Sequence, residues 1–315
     1  MKKAVLIALA VVLMLVAFSI PILIWRRPTP PAAPPPDVPT VAQTDTPPVV
    51  VPATPAPAPA PAVPSAPVPD VAPARAVAEG TITETSLRQG LVLHFTFDRE
   101  EPAGIVTDAS PMGNNGVVKN AHWIPDGKKG GAYEFRADNE MIQVPNHDSL
   151  NPSHLTVAAW IKGTQIDGTW RRIIDKSQLA SEIVDEGYVL SVAGDWQQNN
   201  WRGKATMEIG KIGWVRVSTN VVMDGQWHQI VSTYDGVENI LYVDGVRNAS
   251  TRSSGNLPPT TRPVMIGAES TDPPNKNDGS FRGVIDEPMI WNRALSEAEV
   301  RFLFDPTAQQ TATMP

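Results

Sequence analysis

Cysteine is absent from this chain of 315 residues, and its absence limits both stabilisation and chemistry. Without cysteine there is no disulfide framework, no thiol nucleophile and no thiolate zinc site. An excess of positive charge is absent as well, because the formal net charge is −7 and the isoelectric point is about 5.3. This balance argues against nucleic acid and anionic lipid as partners. A mildly acidic domain suits calcium better than phosphate.

The chain also lacks the short motifs of common catalytic sites. It contains no G-x-S-x-G nucleophile turn, no H-E-x-x-H zinc motif and no glycine loop that would hold a phosphate. Its five histidines show no spacing typical of metal ligands. Motifs alone therefore give no indication of an enzyme.

A long uncharged run lies at the start of the sequence. Ala4 to Trp25 carry no charge, and at about 1.5 Å per residue they are long enough to cross a hydrocarbon core of about 30 Å. The apolar core of a cleaved signal peptide is usually shorter, about 7 to 15 residues, and ends in small residues. Residues 1–27 are therefore predicted to be a transmembrane anchor, with a cleaved signal peptide as the alternative. Basic residues on both sides of the run leave its orientation open.

Proline accumulates directly after this run. Residues 28–80 contain 18 of the 32 prolines, with few charges and almost no aromatic residues. Such a segment cannot bury enough apolar surface to offset the entropy of ordering it. We expect a disordered linker that acts as a spacer, extended to about 3.1 Å per residue where it adopts polyproline II. Docking of a partner on the proline stretch is the alternative.

Short alternating runs separated by turn residues begin at residue 90. In the clearest run, Leu91, Leu93, Phe95 and Phe97 fall on one face of a predicted strand that ends at Asp98. Further strands are predicted at 132–135, 141–144, 155–161, 172–175, 188–192, 205–209, 213–219, 227–234, 239–243, 264–266 and 284–291. Six Asp-Gly pairs, which favour tight hairpin turns, begin at Asp126, Asp167, Asp224, Asp235, Asp244 and Asp278.

This pattern of a dozen strands with one helix predicts an all-β domain. The expected architecture is a two-sheet antiparallel jelly-roll sandwich over residues 90–306, followed by a disordered tail at 307–315. Ser296 with Glu299 three residues later predicts a capping box. We expect it to start a short helix whose apolar residues Val300, Leu303 and Phe304 face inward.

The last predicted strand is apolar on both of its faces. Strict alternation places Val284 and Ile290 on one face and Ile285 and Trp291 on the other. A strand covered from both sides belongs in the middle of a sandwich, so the carboxylate of Asp286 within it needs a partner.

Five blocks of sequence point to a known family. They read GLVLHFTFD, DASPMGNNG, GAYEFRADNEMIQVPNHDSLNPSHLTVAAWIKG, GQWHQIVSTYDGVENILYVDG and FRGVIDEPMIWNRALSEAEV. In order and spacing they resemble the laminin G-like jelly-roll domains of the concanavalin A-like lectin/glucanase superfamily, from Gly90 to Phe304. The resemblance implies a concanavalin A-like fold, whose members bind sugars, bind proteins or cleave glycans.

Carboxylates at the two ends of the domain are the first candidates for a metal site. Asp98 ends the first predicted strand and Asp286 lies in the last, and in a jelly roll the terminal strands are commonly neighbours. Asn115, in the loop between them, adds a hard oxygen ligand of the kind that Ca²⁺ prefers. The resembled superfamily often holds a structural calcium at such a place. The alternative is that both carboxylates only accept backbone hydrogen bonds or pair with an arginine such as Arg282.

A second candidate calcium site lies in the segment RADNEM. Asp138 and Asn139 resemble part of the calcium-dependent ligand site of pentraxins, a branch of the same superfamily, and Glu269 and Asp272 are the residues that would complete it. Ordinary turn chemistry explains an Asp-Asn pair between two strands equally well.

Tryptophans in a polar stretch are candidates for sugar binding. Trp196 and Trp201 flank four amide residues that include Asn199. Indole faces stacked on sugar rings, with amides hydrogen-bonded to hydroxyl groups, form a typical carbohydrate platform. Trp170, beside two arginines, is a possible extension. The alternative is that the tryptophans fold back over the core, since tryptophan is usually at least half buried.

Glycan cleavage requires a particular spacing of carboxylates. Hydrolysis needs two carboxylates on one face, about 5 to 9.5 Å apart. Glu182 and Asp185 fall on opposite faces of any strand, as do Asp286 and Glu287. The sequence therefore predicts a module that is not an enzyme.

The combined prediction is a membrane-anchored binding module displayed in the periplasm or outside the cell. Its expected ligand is a glycan bound in a calcium-dependent manner, with no nucleic-acid partner. A scaffold that binds an extracytoplasmic protein is the alternative, and a glycan hydrolase or lyase is the remote one.

Overall fold

The computed structural model describes residues 82–166, 170–180, 183–194, 200–215, 217–270 and 279–307. The predicted anchor and linker lie outside these ranges, as does all of the predicted tail except its first residue. Among the helices within the ranges, none has the length and apolar character needed to cross a membrane.

Sixteen strands and two short α-helices form the described part of the chain. The strands are β1 Leu91–His94, β2 Ile105–Val106, β3 Gly116–Lys119, β4 His122–Ile124, β5 Ala132–Phe135, β6 Met141–Val144, β7 Leu155–Lys162, β8 Arg171–Ala180, β9 Ile183–Val192, β10 Ala205–Ile209, β11 Gly213–Val215, β12 His228–Tyr234, β13 Glu238–Val243, β14 Val246–Arg252, β15 Val264–Ile266 and β16 Gly283–Trp291. Helix α1 covers Glu84–Arg88 and helix α2 covers Glu297–Phe304.

The strands form two antiparallel sheets of eight strands each. Sheet I has the order β14-β13-β12-β7-β16-β5-β4, with β1 paired to β16, and sheet II has the order β11-β10-β9-β8-β15-β6-β3-β2. In each sheet, hairpins of consecutive strands are joined to strands that are distant in sequence, as in a jelly roll. The predicted all-β two-sheet antiparallel fold is confirmed, and so is the predicted pairing of the first and last strands.

The main core lies between the two sheets. Sheet I contributes Leu93 and Ile161, sheet II contributes Ile142 and Leu190, and all four side chains are fully buried. Burying one aliphatic side chain of this size contributes about 1.5 to 3 kcal/mol. This core is sufficient without disulfides because the domain is large.

The outer face of sheet I is covered by both helices. Leu87 of α1 and Leu303 of α2 pack on an apolar cluster that includes Val231 and Trp291. The indole Nε1 of Trp291 donates to the Leu87 carbonyl oxygen at 2.6 Å. Sheet I is therefore covered on both of its faces.

A β-bulge changes the facing of β16, so the predicted alternation there is wrong. Ile285 and Ile290 both belong to the main core, whereas Trp291 faces the helices. The register of β16 against β7 shifts between Asp286 and Met289. At this point the backbone of Glu287 adopts a positive φ of 50°, so one extra residue is inserted and the facing inverts.

The first strand also differs from its prediction. Strand β1 ends at His94 rather than at Asp98. Its register against β16 shifts between Leu91 and Leu93, so Val92 joins the main core while Leu91 faces the helices.

The capping box of α2 is confirmed, because the Ser296 and Glu299 side chains each accept the other's backbone N–H. Val300 and Leu303 are buried as expected, but Phe304 is 36 % exposed and stacks on Trp160 instead of entering the core. Helix α1 and strands β2, β3, β4 and β14 were not predicted. They are very short or, as in β14, largely polar, so they carry little periodic signal.

Candidate functional site

Asp286 lies in β16 with its side chain fully buried. Its Oδ2 accepts the backbone N–H of Lys129 at 2.9 Å, and its Oδ1 accepts the N–H of Glu287 at 2.8 Å. Burial raises the pKa of the carboxyl from 3.8 to about 7, although these two donors act to lower it. Both oxygens are therefore engaged by the backbone, which is the alternative considered from the sequence.

Asp98 is exposed and approaches the same turn that holds Asp286. A β-carbon at Gly130, which has a positive φ of 59°, would overlap Oδ1 of Asp98. The neighbouring Lys129 is the residue that donates to Asp286. The fold thus brings both predicted carboxylates to adjacent residues of one turn, although they are separated by nearly the whole domain in sequence.

Asn115, the third predicted ligand, is engaged within its own loop. Its Oδ1 accepts the backbone N–H of Asp108 at 2.9 Å. The buried carboxylate of Asp108 in turn accepts the N–H of His94 at 2.9 Å and that of Asn114 at 2.7 Å. These bonds fasten the loop to β1.

Glu287, which the sequence analysis did not accept as a catalytic partner of Asp286, also lies at this turn. The Glu287 carboxylate is buried, with Oε2 3.0 Å from Nε2 of His94 and 3.8 Å from Nζ of Lys129. The only sequence signal was the unusual pair of adjacent carboxylates inside an apolar strand. Across the described ranges, no three His, Asp or Glu side chains are arranged so that they could hold a metal ion. Two carboxylates at one turn fit only part of the six to eight oxygens that Ca²⁺ takes, and the site remains a prediction.

The second predicted calcium site contains an arginine. Asp138 Oδ1 forms an ion pair with Nη2 of Arg282. The carbonyl oxygen of Asn139 accepts the Asn120 side chain at 3.0 Å. Glu269 is buried, and Asp272 lies outside the described residues. A calcium ion here would compete with a guanidinium for Asp138, and this site also remains a prediction.

The structure describes only some of the residues predicted to bind sugar. Trp196 and Asn199 lie outside the described residues. Trp201 and Trp170 are both partly buried and their rings adjoin, with centroids 6.4 Å apart and planes inclined by 37°. The structure therefore pairs Trp201 with the residue that was predicted to extend the platform.

The paired tryptophans, Trp170 and Trp201, lie at one end of sheet II. Strand β8 begins directly after Trp170 and β10 begins shortly after Trp201, and the first residues of both strands pair with Val192 of β9. Gly203 accepts the N–H of Val222 at 2.7 Å, so a further loop supports Trp201. The indole pair rests on hydrogen-bonded loops at the rim.

Two carboxylates that the sequence did not single out lie on the outer face of sheet II. Asp175 and Glu208 both pair with Val189, so they share a face two strands apart, about 10 Å between Cα atoms. Burial raises the pKa of both groups, and Arg172 acts in the opposite direction on each. Asp175 is fully buried, and its Oδ1 accepts the Ser177 hydroxyl at 2.7 Å.

Comparison with protein families finds one matching model. Residues 136–301 match the model Laminin_G_3, described as concanavalin A-like lectin/glucanases superfamily. No curated protein sequence matches the chain.

Several solved structures share the fold. Domain 4 of AbnA, an extracellular GH43 arabinanase of Geobacillus stearothermophilus in complex with arabinotriose, is 18 % identical with a TM-score of 0.53, covering 68 % of this chain and 98 % of that one. The binding domain of Paraclostridial Mosquitocidal Protein 1 is 20 % identical with a TM-score of 0.51, covering 70 % and 53 %. The binding domain of botulinum neurotoxin DC in complex with SialylT is 11 % identical with a TM-score of 0.51, covering 70 % and 51 %.

Proposed function

Because the chain belongs to the concanavalin A-like lectin/glucanases superfamily, we propose that it is a non-catalytic module that binds glycans through Trp170 and Trp201. The observation that carries the proposal is the contact of these two partly buried rings at the rim of sheet II. Two indole faces at an angle present apolar surface to a sugar ring while the indole N–H groups remain polar. The arabinotriose complex of AbnA domain 4 supports the proposal by analogy of fold.

The arrangement of carboxylates supports binding rather than cleavage. Asp175 and Glu208 share a face, but Asp175 is fully buried and held by Ser177. A general acid or nucleophile has to come within hydrogen-bond distance of the scissile bond. A carboxylate fixed inside the protein does not meet this requirement.

Calcium dependence is the second part of the proposal. Asp98 and Asp286 border the turn at Lys129 and Gly130, and ionised carboxylates with turn carbonyls are ligands that suit Ca²⁺. Calcium bound there would fix β16 to the turn and stabilise the domain. Melting the protein in calcium and in chelator tests this, and an identical midpoint in both contradicts it.

We further propose that residues 1–27 anchor the module in a membrane and that residues 28–80 space it from the surface, periplasmic or extracellular. The support is the uncharged run followed by the proline tract. Fractionation of cells into membrane and soluble parts checks the anchor, and recovery of the full chain in the soluble part contradicts it.

Glycan binding itself is tested with an array probed in calcium and in chelator, comparing the wild type with Trp201→Ala. Loss of a stacking indole is expected to weaken binding about tenfold or more. Phe304→Ala is the matched control, since Phe304 is an aromatic residue at the surface of α2 on the side of sheet I. Wild-type binding by Trp201→Ala would place the site elsewhere.

A protein-binding scaffold is the second candidate function. Ile105 and Val117 are cross-strand partners at the edge of sheet II, and they are 43 % and 45 % exposed. Adjacent exposed apolar side chains are typical of protein contacts, although this patch is small. Cross-linking in membranes, with Val117→Lys as the variant, separates this function from glycan binding.

A further inference from the structure

The segment Gly279–Arg282 crosses from sheet II to sheet I beside the start of β8. Its Gly279 carbonyl oxygen accepts the N–H of Arg172 at 2.7 Å, and its last residue leads into β16. The Phe281 side chain enters the main core. In an extended chain the neighbouring residues face the other way, so Ser280 and Arg282 point out of the core.

Asp138 receives both of these outward side chains. The Ser280 hydroxyl donates to the Asp138 carbonyl oxygen at 3.1 Å, and Arg282 Nη2 pairs with the Asp138 carboxylate. The side chain of Asp138 is 45 % exposed, whereas that of Arg282 is 14 % exposed. Asp138 therefore lies on the solvent side of a guanidinium that is mostly buried.

Several N–H groups of Arg282 and Arg172 are buried without a hydrogen bond. Arg282 Nε and Nη1 have no hydrogen-bond partner among the described residues. Arg172 Nε makes no hydrogen bond there either, although it forms an ion pair with Asp175 Oδ2 at 3.5 Å. The Arg172 side chain is nine-tenths buried. Buried charged donors without an acceptor are costly and rare, and a planar oxyanion is the partner that matches a guanidinium fork.

We propose that Arg172 and Arg282 form a subsite for the carboxylate of an acidic sugar whose neighbouring ring stacks on Trp170 and Trp201. The inference rests on the proposed glycan binding and narrows its ligand to an acidic glycan. Arg172 follows Trp170 by two residues, about 7 Å along an extended chain, so an oligosaccharide can contact both.

Asp138 acts in this subsite as an internal substitute for the ligand. It makes one ion pair with Arg282 Nη2, and an incoming carboxylate can replace it there. Removing the negative charge with Asp138→Asn is therefore expected to strengthen binding of acidic sugars. Removing the guanidinium with Arg282→Gln is expected to weaken it.

The test uses alginate, polygalacturonate and hyaluronan, each beside its carboxyl-reduced derivative, which keeps the linkages and lacks the charge. Wild-type protein is expected to bind an acidic member at least tenfold more tightly than its reduced form, and Arg282→Gln to lose about tenfold to a hundredfold. Arg247→Gln, which removes an arginine paired with Glu238 on the opposite sheet, is the charge-matched control.

Outcomes separate the two proposals. Equal binding of an acidic polymer and its reduced form overturns the acidic subsite and leaves glycan binding intact. Failure to bind every polymer here and every glycan on the array overturns glycan binding and the inference with it. If Arg282→Gln does not fold, the Asp138→Asn variant decides, because an unchanged preference for acidic polymers in that variant contradicts the subsite.

Discussion

Asp286→Asn is expected to change how the stability of the domain depends on pH. The carboxyl is fully buried, and its pKa is raised from 3.8 to about 7. Between these two values the unfolded chain has released the proton and the folded protein keeps it. Unfolding then releases a proton, so the free energy of unfolding falls as pH rises through this window. At about 1.4 kcal/mol per pKa unit, the loss reaches about 4 kcal/mol above pH 7.

Asparagine removes this titration and keeps the shape of the side chain. One oxygen remains to accept the N–H of Lys129 or Glu287, and loss of the other acceptor costs about 1 to 3 kcal/mol at every pH. We therefore expect the variant to be less stable near pH 4 and to lose most of the decline between pH 4 and pH 8. The difference between the two curves isolates this group from all other titrating groups.

Urea denaturation in chelator, repeated from pH 4 to pH 8, measures both curves. Asp98→Asn is the control, because it neutralises an exposed carboxylate at the same turn. Parallel curves for the wild type and Asp286→Asn would falsify the reasoning. Added calcium provides a second result, since binding to the ionised carboxylate would reverse the decline in the wild type alone.

Three other changes probe the fold. Lys176→Met should destabilise the domain by about 2 to 4 kcal/mol, because the buried Nζ donates to three oxygen acceptors. Burial lowers the pKa of Lys176 to about 8, so the wild type should become more stable as pH rises above 8, and thermal melts of the variant should lack this gain. Gly187→Ala should lower the free energy of unfolding in urea by about 3 kcal/mol or more, since its β-carbon would overlap the Lys176 carbonyl. Gly113→Ala, also at positive φ but in open space, should lower it by only about 1 kcal/mol, and equal losses would contradict this. Arg293→Ala should expose α1 to limited proteolysis, because its guanidinium donates to the Gln89 and Ser86 carbonyls; unchanged cleavage would contradict the contact.

The local sequence pattern was sufficient to predict most of the architecture. Strand alternation, Asp-Gly turns and the Ser296 capping box depend on residues close in sequence, so a two-sheet β-sandwich could be predicted from the sequence. The facing of β16 could not be predicted, since the bulge at Glu287 arises from pairing with β7 and inverts the alternation. Strict period-two reasoning has no means of detecting an inserted residue.

The sequence by itself determined the composition of the candidate site: carboxylates near both chain ends of the domain, and tryptophans in polar stretches. Tertiary structure alone decided which of them meet. Asp286 is held by Lys129, Asp138 by Arg282, and Trp170 adjoins Trp201. The physical reason is that each contact joins segments that are distant in sequence, so it depends on how the sheets pair and how the loops close.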